Sequence, residues 1–183
     1  TNTYGWLLCG NFSADCHVEA VSGVTLFAGT PNLPQYWNWT LGSMLVWPPA
    51  SAVPWDFAAR AFVPDAVIVN LGENDWYPNA SANGTFVAEY VAAYQRFIEY
   101  IVAVYEAPAL PLFLTIAPHE KGQSFGILQV VAALGKRGFN VHFLNATVPS
   151  PPLPPGCGGH PGPTIHRAAF EVAQPQIAAV LGW

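Results

Sequence analysis

The sequence predicts an α/β domain built on a doubly wound parallel sheet, and three observations lead there. The run Ala66-Val67-Ile68-Val69 is short, apolar and rich in β-branched residues, and it is bounded by Pro64 and Gly72, so it reads as a buried parallel strand. Apolar runs of the same kind recur farther along, separated by stretches with helical periodicity, and such alternation implies a parallel sheet with helices on its faces. The chain has 183 residues, which suits one domain and one core, since domains commonly run ~100–150 residues and single cores reach ~250.

Taken in order, Thr3 to Asn11 reads as a short helix and Cys16 to Val21 as a strand that delivers Ser22 and Gly23. From Leu26 to Phe62 the chain is rich in tryptophan, and Pro31, Pro34, Pro48, Pro49 and Pro54 break any long element. Short helices are expected within it, near Leu33 to Trp39 and Trp55 to Ala59; so long a connection usually serves a function or packs as a lid. After the central strand, Trp76 to Gly84 reads as a loop. Thr85 to Glu106 is the clearest helix, with Phe86, Tyr90, Val91, Tyr94, Phe97, Ile98, Ile101 and Val104 spaced along one face as core. Leu110 to Ile116 is the next strand, Ser124 to Lys136 a helix, and Gly138 to Leu144 the last strand. The proline-rich segment Pro149 to Pro155 leads to His160, and Thr164 to Leu181 closes the domain as a helix. Pro163 sits near its first turn, where proline is tolerated, and Pro175 is expected to kink or break it.

Composition excludes several classes. Only 9% of residues are charged and the net charge is −5, so the basic footprint that phosphate backbones require is missing, and nucleic acid is not an expected partner. No apolar stretch approaches the ~18–20 residues that span a bilayer, which assigns the apolar content to a core or to protein contacts. The spacings H-x-H, H-x-x-x-H and paired C-x-x-C do not occur, and neither a metal nor a cofactor is expected. Five N-x-[S/T] sequons, at Asn11, Asn38, Asn79, Asn83 and Asn145, lean toward a secreted glycoprotein. The chain starts at Thr1 without a signal-like segment and is expected to have been processed or cut. Of the three cysteines, Cys9 and Cys16 could pair locally, which would leave Cys157 free or joined to another polypeptide.

The chemistry is expected just past the central strand, because binding crevices in open α/β sheets lie beyond the carboxyl ends of the strands. Gly72-Glu73-Asn74-Asp75 falls there; the asparagine can donate its amide to a developing oxyanion, and the glycine admits close backbone approach. Late in the chain, Gly156-Cys157-Gly158-Gly159-His160-Pro161 precedes the last helix and can present a histidine to the same crevice. His17 and His142 read as structural residues on strands, and His166 as a packing or surface group. Trp37, Trp39, Trp47, Trp55 and Trp76 fall in loops around the crevice and suit either sugar faces or protein contacts.

The strand ending in G-x-N-D, the segment Ala20-Val21-Ser22-Gly23 and the His160-Pro161 loop together resemble the SGNH (GDSL-type) hydrolases. The likeness is greatest to the family 2 carbohydrate esterases and their eukaryotic relatives, and it spans nearly the whole chain. It implies a flavodoxin-like sheet of order 2-1-3-4-5, with His160 as general base and Asn74 and the Gly23 amide as oxyanion donors. Gly72, Asp75 and Trp76, by their place just past the strand end, are expected against substrate. The fourth family block, a strand ending in Gly-Asp-Ser that supplies the nucleophile, does not occur in this sequence; Thr3 to Leu8 resembles the helix that follows it. The first strand and the serine are therefore expected from a separate or cleaved segment, a second polypeptide lying between the strands that end at Gly23 and Gly72. Ser22, which precedes an oxyanion glycine, is a poor substitute. Cys157 stands where most members carry the aspartate that orients the histidine; some family 2 esterases use a Ser-His dyad oriented by a main-chain carbonyl. The implied function is a secreted esterase that removes acetyl groups from carbohydrate, the alternative being an inactive glycoprotein subunit that binds glycan or builds an extracellular assembly.

Overall fold

The computed structural model describes residues 3–27, 32–37, 54–59, 62–76, 84–116, 124–148 and 156–183. Its centre is a parallel sheet of β1 (Val67–Asn70), β2 (Leu112–Thr115) and β3 (Val141–Phe143) in the order β1-β2-β3. Val67 aligns with Leu112, and Leu112 in turn with Val141. The helices are α1 (Tyr4–Phe12), the single turns α2 (Leu33–Tyr36) and α3 (Glu73–Trp76), then α4 (Gly84–Tyr105), α5 (Ser124–Lys136) and α6 (Pro163–Leu181).

Alternation along β2 divides the interior into two layers. Leu112 and Leu114 join Tyr90, Tyr94, Phe97, Ile98 and Ile101 of α4 and Ile127, Val130 and Leu134 of α5 on one face. Phe113 points the other way, into Tyr4 and Leu8 of α1 and Ala169, Ala173 and Ile177 of α6. Successive side chains on a strand take opposite faces, so a strand covered on both sides must be apolar throughout. β2 meets that condition, with every residue buried.

β1 does not. Its residues alternate in burial, and Ile68, expected in the interior, is 38% exposed. The cause is its position, since β1 pairs with β2 alone and forms one margin of the sheet among the described residues. The strand expected from Cys16 to Val21 is likewise not formed, and residues 14–21 carry no regular structure. A strand persists only when a neighbour takes up its backbone hydrogen bonds, and no described strand lies beside this segment; the nearest pairing is an isolated bridge between Thr25 and Asn32. Cys9 and Cys16 are joined in a disulfide, and Cys157 is free and exposed.

Other expectations hold with shifted ends. α5 occupies the predicted span, α4 begins one residue early, and the short helices shrink to α2 and a 3₁₀ turn at Phe57–Ala59. Pro175, expected to kink or break the last helix, lies inside α6, which continues to Leu181. Buried Ala173 and Ile177 anchor the backbone on either side of it, and the Gln176 side chain donates to the Val172 carbonyl at 2.6 Å. Asn38, Asn79, Asn83, Trp39 and Trp47 lie outside the described residues.

His17 is exposed rather than housed in a strand, and its ring stacks on Phe62 with centroids 3.6 Å apart. His142 is on β3 as expected, stacked on Phe113 and within 2.7 Å of the Asn140 side-chain oxygen. Two residues beyond His17, the carboxyl of Glu19 is raised by burial from 4.5 to about 7; Tyr105 is raised by burial first and by the Glu19 charge second. The folded state thus holds this proton more tightly than the unfolded chain. Its contribution is present at low pH and is lost as pH rises from about 4.5 through about 7. Replacing Glu19 with Gln is expected to flatten thermal stability across that window, by less than about 1 kcal/mol because the residue keeps access to solvent. Melting curves from pH 4 to 8 check this, and an unchanged slope would show that Glu19 is not the titrating group.

Candidate active site

The site is built where β1 ends. Gly72 opens α3, its carbonyl accepting the backbone N–H of Asp75 at 3.1 Å and of Trp76 at 3.3 Å. Only glycine serves here. Its φ is +113°, and a Cβ would lie 2.5 Å from the hydroxyl oxygen and 2.7 Å from Cε2 of Tyr90. Tyr90 is fully buried and cannot yield. Gly72→Ala is therefore expected to cost about 2–4 kcal/mol, from backbone strain together with overpacking; urea denaturation measures it, and a loss near zero would mean that the Tyr90 contact is not held.

The next two side chains fasten the loop that carries Gly23. Asn74 donates its amide Nδ2 to the carbonyl of Val24 at 2.9 Å. Asp75 is completely buried, and its carboxylate accepts the backbone N–H of Leu26 at 2.7 Å and of Phe27 at 2.9 Å. A buried carboxylate is tolerated when hydrogen bonds to it are made, and bonds to a charged acceptor are the stronger kind. Upstream, the Val24 N–H closes a turn on the Val21 carbonyl at 3.3 Å, with Gly23 inside it at φ +75°. Gly23 is exposed, and its N–H makes no hydrogen bond among the described residues. Since an amide NH₂ carries two protons, Asn74 retains one donor beyond the bond to Val24. The Gly23 N–H and the second Asn74 amide proton thus have no hydrogen-bond partner among the described residues.

Two sequence expectations change here. Asp75 was expected against substrate, but it is sealed from solvent and acts on the loop. Gly72, also expected there, is buried beneath Tyr90. Trp76 is half-buried, its ring 5.0 Å from that of Phe86 and 5.5 Å from that of Tyr90.

His160 is exposed at the end of a tight loop. Its carbonyl accepts the Gly156 N–H at 2.7 Å, and its own N–H reaches the Cys157 carbonyl at 3.3 Å. Gly158 and Gly159 take left-handed conformations within this turn, and α6 starts three residues after the histidine. Among the described residues no hydrogen bond joins His160 to Asn74. An indirect tie exists that the sequence did not reveal. Asn70, the last residue of β1, donates Nδ2 to the Tyr4 hydroxyl at 2.9 Å, and the Tyr4 ring stacks on His166 of α6 with centroids 6.1 Å apart. Burial pushes the Tyr4 phenol up to about 12 and holds His166 below its ordinary value. Strand β1 and the start of α6 are therefore registered through α1. No spacing pattern could have paired positions so distant in the chain.

No metal-binding group of His, Cys, Asp or Glu occurs among the described residues, and no helix among them is long and apolar enough to cross a membrane.

Comparison with known proteins bears on this geometry. No family model matches the chain. The cellulase/esterase CelE of Acetivibrio thermocellus is 26% identical over 192 residues, which takes in 99% of this chain and 22% of that protein. A family 2 carbohydrate esterase with a carbohydrate-binding domain, from Corynascus thermopiles (Myceliophthora fergusii), superposes with a TM-score of 0.80 at 28% identity, covering 100% of this chain and 57% of the other. A family 2 carbohydrate esterase from Clostridium thermocellum, solved with cellohexaose, gives a TM-score of 0.82 at 25% identity over 98% of this chain and 54% of the other. The chain therefore spans about a fifth of the curated relative and somewhat more than half of these solved structures. In sequence and in fold alike, the chain is similar to family 2 carbohydrate esterases.

Proposed function

We propose that the chain forms most of the catalytic domain of a secreted carbohydrate esterase that removes O-acetyl groups from a polysaccharide, with its nucleophilic serine on a segment outside this sequence. The observation that carries the reading is the clasp between Asn74, Asp75 and the Gly23 loop, which leaves two N–H donors unspent beside the end of β1. The serine segment would add a parallel strand to the margin of β1, where Ile68 is 38% exposed. Pairing there would satisfy backbone groups on that margin and cover the Ile68 side chain.

In the reaction, the serine hydroxyl attacks the acetyl carbonyl while His160 takes its proton. The Gly23 N–H and the remaining Asn74 N–H hold the oxyanion, and donors placed in this way contribute about 10²–10³ each to the rate. As the tetrahedral intermediate collapses, His160 returns the proton to the departing sugar hydroxyl. Water then repeats the sequence on the acetyl-serine and releases acetate. Cys157 provides no carboxylate to orient His160, so a main-chain carbonyl would do so.

The free Cys157 in that position favours a second reading, a non-catalytic subunit that retains the fold to bind glycan. Acetate release from an acetylated polysaccharide separates the two. The native material, with every polypeptide that accompanies the chain, is expected to liberate acetate. Binding to the polysaccharide without acetate release would overturn the esterase reading in favour of the second.

A further inference from the structure

We propose that Asn145 carries an N-linked glycan and that Asn11 does not, an inference that rests on the secreted reading above and sharpens it. These are the two described sequons; both asparagines are exposed, and the structure sets them in different backbone settings. Asn145 is exposed, two residues past the end of β3. Its side-chain oxygen accepts the backbone N–H of Thr147 at 3.1 Å and also the Thr147 hydroxyl. Its backbone is held by Gln176, whose Oε1 accepts the Asn145 N–H at 3.1 Å and whose Nε2 donates to the Asn145 carbonyl at 2.8 Å. Its Nδ2 takes part in no hydrogen bond among the described residues. The oxygen is engaged and the nitrogen is free.

That turn is made by the sequon's own residues. Local closure of this kind needs no tertiary contact, so the nascent chain can form it before the domain folds. A hydroxyl donated to the carboxamide oxygen also polarises the amide toward loss of an N–H proton. In the transfer, Nδ2 attacks the anomeric carbon of an oligosaccharide carried on a polyprenyl diphosphate. The C–O bond to the diphosphate breaks, the diphosphate departs with the electron pair, and Nδ2 gives up one proton to a base of the transferring enzyme. No oxidation or reduction occurs.

Asn11 lies within the last turn of α1. The N–H of Ser13, which would have to turn back on the asparagine, is spent on the helix through the Gly10 carbonyl at 3.3 Å. The Cys9–Cys16 disulfide closes a loop of sequence separation 7 around the whole sequon. This closure too is local, and with the helix it denies Asn11-Phe12-Ser13 the turn that Asn145-Ala146-Thr147 makes.

The experiment is site mapping of the chain secreted from a eukaryotic host. Enzymatic release of glycans in heavy-oxygen water converts each modified asparagine to labelled aspartate, which peptide mass spectrometry locates. Label is expected at Asn145 in most copies and at Asn11 in few. Asn145→Gln and Thr147→Ala should each lower the intact mass by one glycan, whereas Thr147→Ser should retain it. Unlabelled Asn145 with label at any other sequon would overturn the inference and leave secretion standing, and equal labelling of Asn11 and Asn145 would overturn the selectivity. A secreted chain bare at all five sequons would overturn both the inference and the glycoprotein reading beneath it.

Discussion

Hydrolysis of a small acetyl ester by the native material is expected to fall by about 10²–10⁴ when His160 is replaced by alanine, the range that a positioned general base contributes. The loss should appear in kcat with KM little changed, because a base acts on the transition state rather than on the bound ester. Stability should scarcely move, since His160 is exposed and its main-chain bonds to Gly156 and Cys157 do not involve the side chain. Initial rates on wild type and His160→Ala, with melting curves alongside, check both halves. A variant that keeps its kcat would remove His160 from the chemistry, and a collapsed melting temperature would give it a structural role instead.

A second large effect is expected at Asp75. Alanine there leaves the Leu26 and Phe27 N–H groups without the acceptor that now holds them. A buried donor deprived of its partner costs about 1–3 kcal/mol, so the pair amounts to about 2–6 kcal/mol. Set against the ~5–15 kcal/mol by which domains are ordinarily stable, that is a substantial fraction. The loop it anchors begins one residue after Gly23, so the donors proposed for the oxyanion should lose their alignment as well. Asp75→Ala is expected to lower the urea midpoint and, in the molecules that remain folded, to lower kcat. Asp75→Asn keeps one acceptor oxygen and should fall between. If both variants matched wild type in stability, the clasp would not be what holds residues 24–27.

What the sequence disclosed and what it withheld divide along one physical line. Features set by local periodicity were legible. The aromatic stripe of α4, the span of α5 and the apolar run of β2 declare themselves through spacing and composition, because each buries a face that its own sequence defines. The G-x-N-D end of β1 and the histidine loop were legible as places in the fold, one at a strand end and one before the last helix. Features that depend on a neighbour were not. Cys16 to Val21 has the composition of a strand and lacks strand structure, because pairing is decided by what lies alongside. Ile68 reads as core and stands at a margin for the same reason. Asp75 looked like a ligand-facing acid, and only its bonds to Leu26 and Phe27, 49 and 48 positions away, show it turned inward. Tyr4 joins Asn70 across a separation of 66, which no window of sequence could anticipate.

Acetyl ester hydrolysis and the intact mass composition of the same undenatured sample form the most direct test of the central claim, that this chain holds the base and the oxyanion donors while the serine lies on a strand added at β1. The account predicts that active material contains a segment bearing Gly-Asp-Ser, as an extension of the chain or as a companion polypeptide, and that activity is lost when that serine is replaced. Hydrolysis at the same rate by the 183-residue chain alone, or no hydrolysis by material that carries the segment, would contradict it.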